Sequence, residues 1–324
     1  MAIIKTSTSE IKASGNNNLH KSRSGKTDEF YTQISLIENE LRHYKDFFKG
    51  KTIFCNCDDP VESNYWKYFE LNFVHFGLKK LISTHYETDI PSYKLELTGD
   101  INSDGKVNSL DIVRTPLTQN GDFRSPECRE IMQSADVIVT NPPFSLFREY
   151  ISQLIELGKH FLVIGNQNAI TYREILPLFI NNKIWLGYNN GHFWFRVPDD
   201  YEIKKTDFKI DEAGIKWRRM GNICWFTNID IVRRHERMTL FKNYTPDKYP
   251  KYDNYDAINV DRTIDIPCDY FGVIGVPITF IGKHNPEQFE LLADSRYHDG
   301  QDFSDDINVI DGNTLYRRLL IRRC

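Results

Sequence analysis

The sequence lacks any long hydrophobic run. No window approaches the roughly eighteen uninterrupted apolar residues that a membrane helix needs, and charged residues stand near the amino terminus, where a secretory signal would be apolar. These absences argue against a membrane-spanning or secreted protein, so we expect a cytoplasmic location and no membrane partner. A chain of 324 residues, of which 40% are hydrophobic, is long enough for one large α/β domain and a smaller module.

Paired cysteine patterns are also missing. The six cysteines, at positions 55, 57, 128, 224, 268 and 324, do not have the spacing of metal ligands. Most of them lie in apolar segments that resemble strands. We therefore expect free thiols that are mostly buried.

Charge of one sign does not dominate the chain, but it is unevenly distributed. The formal net charge is -4, yet residues 1–27 carry five Lys or Arg against one acid, and the last ten residues carry four Arg and no acid. Basic ends on a nearly neutral body suit a polyanionic partner, although solvated tails have the same composition. Residues 1–27 are rich in Ser, Asn, Lys and Gly and have no sustained periodicity, which predicts a flexible basic arm.

Hydrophobic periodicity predicts alternating helices and strands as far as residue 182. The predicted helices are 34–48, 65–76, a helix that begins at 125, 145–157 and 171–181, and the predicted strands are 53–57, 78–86, 136–140 and 161–165. This alternation predicts a doubly wound, mainly parallel sheet of the α/β class. From residue 183 the pattern changes to short aromatic strands and charged loops. We expect 183–324 to contain the remaining sheet strands and an appended α+β region.

A turn of distinctive composition follows the strand predicted at 136–140. It consists of Asn141, Pro142, Pro143 and Phe144, at the carboxyl end of a strand, where open α/β sheets keep their ligand sites. The Asn141 side-chain oxygen and the Pro142 carbonyl can accept both hydrogens of an exocyclic amine, which makes its nitrogen a better nucleophile. The prolines fix the backbone, and Phe144 offers a flat face to a planar base. The turn indicates a clamp for the amino group of adenine or cytosine, although paired prolines also simply end strands.

Seven short motifs carry a resemblance to one protein family. They are DEFYTQ at 28–33, CNCDDP at 55–60, GDFRS at 121–125, NPPFS at 141–145, WLG at 185–187, CWFTN at 224–228 and PKYDNYDAINV at 250–260. Together, in the order typical of γ-group amino-methyltransferases, they resemble the EcoRI-type, site-specific DNA adenine-N6 methyltransferases over nearly the whole chain. The resemblance implies the fold of S-adenosylmethionine-dependent methyltransferases, that compound as methyl donor, double-stranded DNA as partner and no catalytic metal. It also implies a catalytic domain at 28–182 and a target-recognition region within 183–324.

The methyl-donor site is expected at the ends of the first strands. The glycine-rich loop of the wider methyltransferase class is absent, and residues 56–60 take its place, as in the EcoRI-type family. The residues that we assign to donor binding are Phe30, Tyr31, Thr32, Cys55, Asn56, Asp58, Asp59, Glu87, Asp122 and Phe123. Alternatives stay open, because Asp58 and Asp59 would also cap the next helix. Glu87 would equally suit a solvated loop, and Asp122 with Phe123 would suit a turn.

The resemblance also implies how DNA is used. The target adenine would leave the base stack, Asn141 and the Pro142 carbonyl would orient its N6 amine for direct methyl transfer, and Phe144 would stack on the base. Basic residues of the C-terminal half are available for DNA contacts, although several will be solvated surface charge: Arg196, Lys204, Lys205, Lys209, Lys216, Arg218, Arg219, Arg233, Arg234 and Arg237. We expect a monomer that works beside a restriction endonuclease or as an orphan or phage equivalent.

A separate pattern in residues 100–111 has the spacing of a calcium loop. Asp100, Asn102 and Asp104 stand at the first, third and fifth positions, Gly105 at the sixth and Asp111 at the twelfth. This spacing suggests a structural calcium ion. The Asn-Ser-Asp-Gly run within it would equally form a hairpin turn.

Two other functions stay open from the sequence. The same clamp would serve a methyltransferase that acts on an RNA adenine or a protein glutamine amide, which the C-terminal motifs argue against. The chain could instead be a catalytically inactive DNA-binding protein. The intact Asn141, Pro142 and Phe144 argue against that alternative.

Overall fold

The structure is a computed structural model that describes residues 32–57, 59–87, 92–199, 201–202, 205–298, 301–302 and 307–324. The predicted arm of residues 1–27 and four assigned residues, Phe30, Tyr31, Asp58 and Lys204, lie outside the described residues. Within these ranges no helix combines the length and the apolar character needed to cross a membrane.

The described helices and strands alternate along the first half of the chain as predicted, except between residues 80 and 116, where three strands follow one another without a described α-helix between them. The α-helices are α1 (Ile34–Leu41), α2 (Lys45–Phe48), α3 (Asn64–Leu71), α4 (Phe73–Phe76), α5 (Pro126–Ser134), α6 (Phe147–Glu156) and α7 (Leu176–Ile180). The strands of the larger sheet are β1 (Thr52–Cys55), β2 (Lys80–Thr84), β3 (Tyr93–Leu97), β4 (Val113–Pro116), β5 (Val137–Thr140), β6 (His160–Asn166), β7 (Trp185–Arg196), β8 (Phe208–Ile210) and β9 (Lys216–Thr227). The remaining strands are β10 (Ala257–Asn259), β11 (Val273–Pro277), β12 (Phe289–Asp294), β13 (Tyr297–His298), β14 (Gln301–Asp302), β15 (Val309–Ile310), β16 (Asn313–Thr314) and β17 (Arg318–Arg323).

The larger sheet has a parallel centre. Strands β2, β1, β5 and β6 run parallel to one another, and antiparallel strands extend the sheet on both flanks. The order is β4-β3-β2-β1-β5-β6-β9-β7, with β8 paired to β9. Helices α3 and α4 connect β1 to β2, and α6 connects β5 to β6, because parallel neighbours need a crossover. The expected doubly wound α/β fold is confirmed, and its parallel strands end together at what we call the carboxyl edge.

Helix ends are set by local signals that the sequence carries. Ser125 caps α5 by accepting a 3.2 Å hydrogen bond from the Cys128 amide, and Pro126 fills the first turn. Gly77 ends α4 in the left-handed conformation, with φ of 61°. Both helix ends agree with the bounds expected from sequence, a start at 125 and an end at 76.

Helices cover the larger sheet on both faces. Because side chains alternate along a strand, Ile53 and Val137 face α1 to α4, whereas Phe54 and Ile138 face α5 to α7. The second sheet, of order β10-β11-β17-β12-β13-β14, adds residues such as Leu319 to the cluster that contains Phe54. The two sheets therefore share one hydrophobic core.

The chain beyond residue 182 differs from the expected short strands. Strands β7 and β9 are each 12 residues long, pair antiparallel and complete the larger sheet. The helix predicted at 171–181 is divided into a 3-10 helix, Gln167–Thr171, and the short α7. The larger sheet therefore takes its last strands from the chain beyond residue 182, where the remaining sheet strands were expected.

A buried carboxylate ties α1 to β7. Glu40 accepts hydrogen bonds from the Tyr188 amide (2.8 Å), the Asn189 amide (2.7 Å) and the Tyr44 hydroxyl (2.8 Å). A Cβ atom at Gly187 would overlap the Glu40 carboxylate, so a larger residue there would displace this side chain from its hydrogen bonds. Burial raises the pKa of Glu40 above its usual value, although the hydrogen bonds offset part of that shift.

Candidate active site

The carboxyl edge brings predicted residues from several strands together. β1 leads to Asn56, β2 leads to Glu87, and β5 leads to Asn141. β1 lies between β2 and β5 in the sheet. The sequence places these residues far apart along the chain, and the parallel strands bring them to one edge.

Asn56 joins the end of β1 to the Asn-Pro-Pro-Phe turn. It is fully buried, its carbonyl accepts a hydrogen bond from the Thr140 hydroxyl, and its side-chain oxygen accepts one from the Tyr150 hydroxyl. Burial raises the pKa of Tyr150 well above its usual value, so this hydroxyl stays a donor. Thr140 directly precedes Asn141, and Tyr150 lies on α6, which follows the Asn-Pro-Pro-Phe turn. The ends of β1 and β5 are thus held in a fixed relation.

Asp59 and Glu87 lie in the loops that follow β1 and β2. Asp59 Oδ2 lies 3.5 Å from His85 Nε2, and the Glu87 amide donates to the Asn120 carbonyl at 2.8 Å. Gly121 packs against His85, where a Cβ atom would overlap the carbonyl oxygen. This close approach draws the loop before Asp122 to the end of β2. Helix α3 is capped by Ser63, whereas Asp59 accepts a hydrogen bond within the preceding turn.

Asp122 and Phe123 have different surroundings. The Asp122 carboxylate accepts hydrogen bonds of 2.9 Å and 2.6 Å from the Arg124 guanidinium. Partial burial acts to raise the pKa of Asp122, but Arg124 lowers it below its usual value overall. The Phe123 ring is buried and meets the Tyr150 ring edge to face, with centroids 5.0 Å apart. Phe123 therefore belongs to the same cluster as the Asn56 network.

The Asn-Pro-Pro-Phe turn links strand to helix at the centre of this edge. Asn141 is 6% exposed and Pro142 is buried, whereas Pro143 and Phe144 are partly exposed. Phe144 begins a 3-10 helix that leads directly into α6. A planar group that approached the carboxyl edge could therefore meet the accessible part of the Phe144 ring.

Thr32 lies at a junction beside this edge. Its side chain is buried, and its carbonyl accepts a 2.7 Å hydrogen bond from the Asn64 side chain at the start of α3. The next residue, Gln33, donates a 2.8 Å hydrogen bond to the Trp194 carbonyl of β7. Thr32 therefore connects the start of α1 to α3 and to the long strand β7.

Strands β7 and β9 continue past the end of β6. The last residue of β6, Asn166, pairs with Ile223, whereas β9 begins at Lys216. At about 3.4 Å per residue, this extension reaches roughly 20 Å beyond β6. We call residues 191–196 and 205–222 together the ribbon. The ribbon stands at the carboxyl edge, on the same side of the sheet as Asn141.

The basic residues of the ribbon have two kinds of environment. Lys216 and Arg218 donate hydrogen bonds, each of 3.1 Å, to the carbonyls of Tyr201 and Asp207, so they hold neighbouring loops. The others have exposed or ion-paired side chains: Lys205 is exposed, Lys209 lies 4.7 Å from the Trp194 ring centroid, Arg219 pairs with Asp207, and Arg196 lies 3.6 Å from Glu62. Lys209, stacked on an aromatic ring at the tip, is the most favourably placed for a polyanion.

Arg233 and Arg234 lie at the other end of the sheet. They follow Thr227, which pairs with Leu162 near the start of β6. Arg234 stacks over Trp185, the first residue of β7, at 3.8 Å. The structure does not bring these two arginines, or the nearby Arg237, to the carboxyl edge.

The calcium pattern has no support in the structure. The loop joins the antiparallel strands β3 and β4, and its acids bond to backbone amides: Asp100 accepts from Gly105 at 2.8 Å, and Asp111 accepts from Ile101 and from Asn108, each at 3.0 Å. Among the described residues, no group of three or more His, Cys, Asp or Glu side chains could hold a metal ion. The hairpin alternative accounts for the loop, since it connects neighbouring antiparallel strands.

Sequence reasoning assigned no site role to Thr140, Arg124 or Tyr150. Tyr150 lies within the helix predicted at 145–157 and is buried, but helical periodicity does not distinguish a core tyrosine from one that holds a neighbouring loop. The proximity of Tyr150 to Asn56 depends on the pairing of β1 with β5, which no local pattern specifies.

A doubly wound sheet with an Asn-Pro-Pro-Phe turn at its carboxyl edge defines an enzyme of the S-adenosylmethionine-dependent methyltransferase class. The family described as adenine-specific methyltransferase EcoRI matches residues 18–323. The chain is 46% identical over 316 residues to the type II methyltransferase M.EcoRI of Escherichia coli. The aligned region covers 94% of this chain and 95% of that protein. It is 37% identical over 279 residues to the type II methyltransferase M.MpnI of Mycoplasma pneumoniae. That aligned region covers 84% of each of the two proteins. The chain belongs to the EcoRI adenine-specific methyltransferase family, as its motifs indicated.

Proposed function

We propose that this protein transfers a methyl group from S-adenosylmethionine to the N6 amine of an adenine in a specific double-stranded DNA site. The observation that carries the proposal is the buried network in which Asn56 bonds to Thr140 and Tyr150. This network fixes the clamp residue Asn141 beside the end of β1. A donor bound at β1 and a base bound at Asn141 would therefore be presented to each other in a constant geometry.

The residues at the ends of β1 and β2 fit a methyl donor. Within the described part of the chain, Asn56 Nδ2 is buried and has no hydrogen-bond partner, so it offers a donor to the carboxylate of the methionine part. Glu87 offers an acceptor for ribose hydroxyls, and Asp122 with Phe123 flanks the expected place of the adenine ring. Further residues proposed for donor binding are Phe30, Tyr31, Thr32, Cys55, Asp58 and Asp59.

The clamp residues would activate the base. Asn141 Oδ1 and the Pro142 carbonyl accept the two N6 hydrogens and favour the positive charge that develops on the nitrogen. Pro143 fixes the backbone, and Phe144 stacks on a base that has left the helix. The bound sulfonium compound supplies an activated methyl group. As the N6–carbon bond forms and the sulfur–carbon bond breaks, N6 releases one proton to solvent.

The ribbon is the proposed DNA contact surface beside this clamp. Lys205, Lys209, Arg196 and Arg219 would reach phosphates, because they project from elements that extend past β6. Lys216 and Arg218 would contribute indirectly, by holding the loops of the ribbon. Arg233 and Arg234 would contact DNA only if the duplex extended to the other end of the sheet.

A labelling experiment tests the substrate class. The protein is incubated with labelled S-adenosylmethionine and with duplex DNA, RNA or protein, and each product is digested. Label in N6-methyladenine from duplex DNA is expected, whereas label only in RNA or in glutamine would refute the proposal. Modified-base sequencing of DNA from expressing cells would then identify the site.

We also propose that the protein is a cytoplasmic monomer, either paired with a restriction endonuclease or acting as an orphan or phage equivalent. Size-exclusion chromatography tests the monomer. Resistance of the cellular DNA to cleavage at the mapped site tests the pairing.

A further inference from the structure

An exposed tyrosine of the second sheet is fixed near the carboxyl edge. Tyr316 lies between β16 and β17, and its side chain is 88% exposed. This is the highest exposure of any large hydrophobic side chain in the described ranges. A ring that is neither packed in the core nor covered by a loop is free to meet a ligand.

The backbone at Tyr316 is held on both sides. Its carbonyl accepts hydrogen bonds from the Asn308 side chain at 2.9 Å and from the Arg318 guanidinium at 3.1 Å. Asn308 is buried and also bonds to the Leu315 carbonyl at 2.7 Å. The exposed ring therefore projects from a backbone that hydrogen bonds hold in place. This restraint reduces the conformational entropy lost when the ring binds.

An indirect path of contacts leads from the residue next to Tyr316 to the helix that follows the Asn-Pro-Pro-Phe turn. The adjacent Arg317 donates a 3.1 Å hydrogen bond to the carbonyl of Thr171, in the 3-10 helix that follows β6 at the carboxyl edge. The next residue, Tyr172, lies 5.5 Å from the guanidinium of Arg148, which stands in the first turn of α6. Phe144 is four residues before Arg148. Tyr316 thus stands at the rim of the carboxyl edge, on a different element from the ribbon.

Arg317 is itself anchored from the second sheet. Its guanidinium pairs at 2.6 Å with Asp294 Oδ2, and Asp294 is completely buried. The side chain therefore bridges β12 to the Thr171 turn. This bridge fixes the backbone next to Tyr316 relative to the Thr171 turn at the carboxyl edge.

We propose that the Tyr316 ring stacks on DNA bases next to the target adenine and stabilises the duplex from which that adenine is extruded. This inference rests on the proposed function. Extrusion breaks base stacking, and an aromatic side chain that enters the opened step restores part of that stacking energy. A tyrosine suits this role because its aromatic face can stack on any of the four bases.

The test uses a duplex that carries the site mapped by modified-base sequencing, with natural adenine for rates and 2-aminopurine at the target position for fluorescence. Tyr316→Ala should lower both kcat and the fluorescence increase by about tenfold, and Tyr316→Phe should retain both. A mismatch opposite the target lowers the energy needed for extrusion, so it should restore most of the activity of Tyr316→Ala. Leu71→Ala removes another exposed apolar side chain, 77% exposed on α3, and should behave as wild type.

Each result has a defined meaning. Calorimetry with S-adenosylmethionine should give equal affinity for wild type and Tyr316→Ala, which shows that the variant is folded. Unchanged rates for Tyr316→Ala, or an equal loss on matched and mismatched duplexes, would overturn the stacking role while the proposed function stands. A wild-type protein that leaves duplex DNA unmethylated would instead overturn the proposed function, and the stacking role with it.

Discussion

At the residue scale, the proposed clamp depends on the Asn141 amide oxygen. Asn141→Ala should reduce methyl transfer by at least about 100-fold, because the substitution removes a preorganised acceptor for the developing charge. Binding of S-adenosylmethionine should change little, since Asn141 is not among the residues proposed for donor binding. Single-turnover rates and calorimetry measure the two effects.

A matched control for this substitution is Asn181→Ala, which removes an exposed amide at the carboxyl end of α7, away from the clamp. It should retain the wild-type rate. Substantial methyl transfer by Asn141→Ala would contradict the clamp.

The Tyr150 hydroxyl should matter for donor binding. Tyr150→Phe leaves the Asn56 side-chain oxygen buried without its donor, which should lower the free energy of unfolding by about 1–3 kcal/mol. The freed Asn56 side chain should also weaken S-adenosylmethionine binding several-fold. Urea unfolding and calorimetry test the two parts.

Tyr44→Phe is the control for Tyr150→Phe, because it removes a buried hydroxyl bond to Glu40 that is not part of the Asn56 network. It should lower stability and leave donor affinity unchanged. Equal donor affinity in Tyr150→Phe and wild type would show that the network has only a structural role.

These residues show how far local sequence can reach. Asn141 and Phe144 were identified because their chemistry and their place after a strand are both local. The Asn56 network was not, since it forms only when β1 and β5 pair. Phe30, Tyr31 and Asp58 stay predictions outside the described residues.

At the element scale, α1 should hold β7 through Glu40. Glu40→Gln replaces one acceptor oxygen with a donor that faces the Tyr188 or Asn189 amide. That backbone amide would lose its hydrogen-bond acceptor, and the free energy of unfolding should fall by about 1–3 kcal/mol. Glu38→Gln makes the same change on an exposed position of α1 and should have almost no effect. Equal urea midpoints for the two variants would show that the contact of Glu40 with β7 does not stabilise the protein.

The prediction of strands was accurate where helices cover both faces of the sheet and failed where they do not. The predicted strands near 53, 78, 136 and 161 are confirmed because both faces are buried, which gives continuous apolar runs. The ribbon reaches past the helical layers, so polar residues such as Asn222 and Arg219 are tolerated within β9. Those polar residues interrupt the apolar pattern, and the sequence therefore indicated short strands.

At the scale of the whole molecule, the basic arm should add non-specific DNA affinity. Removal of residues 1–27, which carry five Lys or Arg, should weaken DNA binding. It should also reduce the slope of log affinity against log salt by about 0.9 for each phosphate that the truncated protein no longer neutralises. An arm of equal length with these five residues changed to Gln should behave like the truncation. Unchanged affinity at both low and high salt would exclude a DNA role for the arm.

Glu40 has one more consequence, for self-association. β7 is the outermost strand on its flank of the larger sheet, and an outermost strand with unused amide groups is a template for pairing with a second chain. Glu40 occupies the Tyr188 and Asn189 amides with a carboxylate from the same molecule. The intramolecular contact that positions α1 therefore also keeps these two amides of the outermost strand from pairing with a second chain.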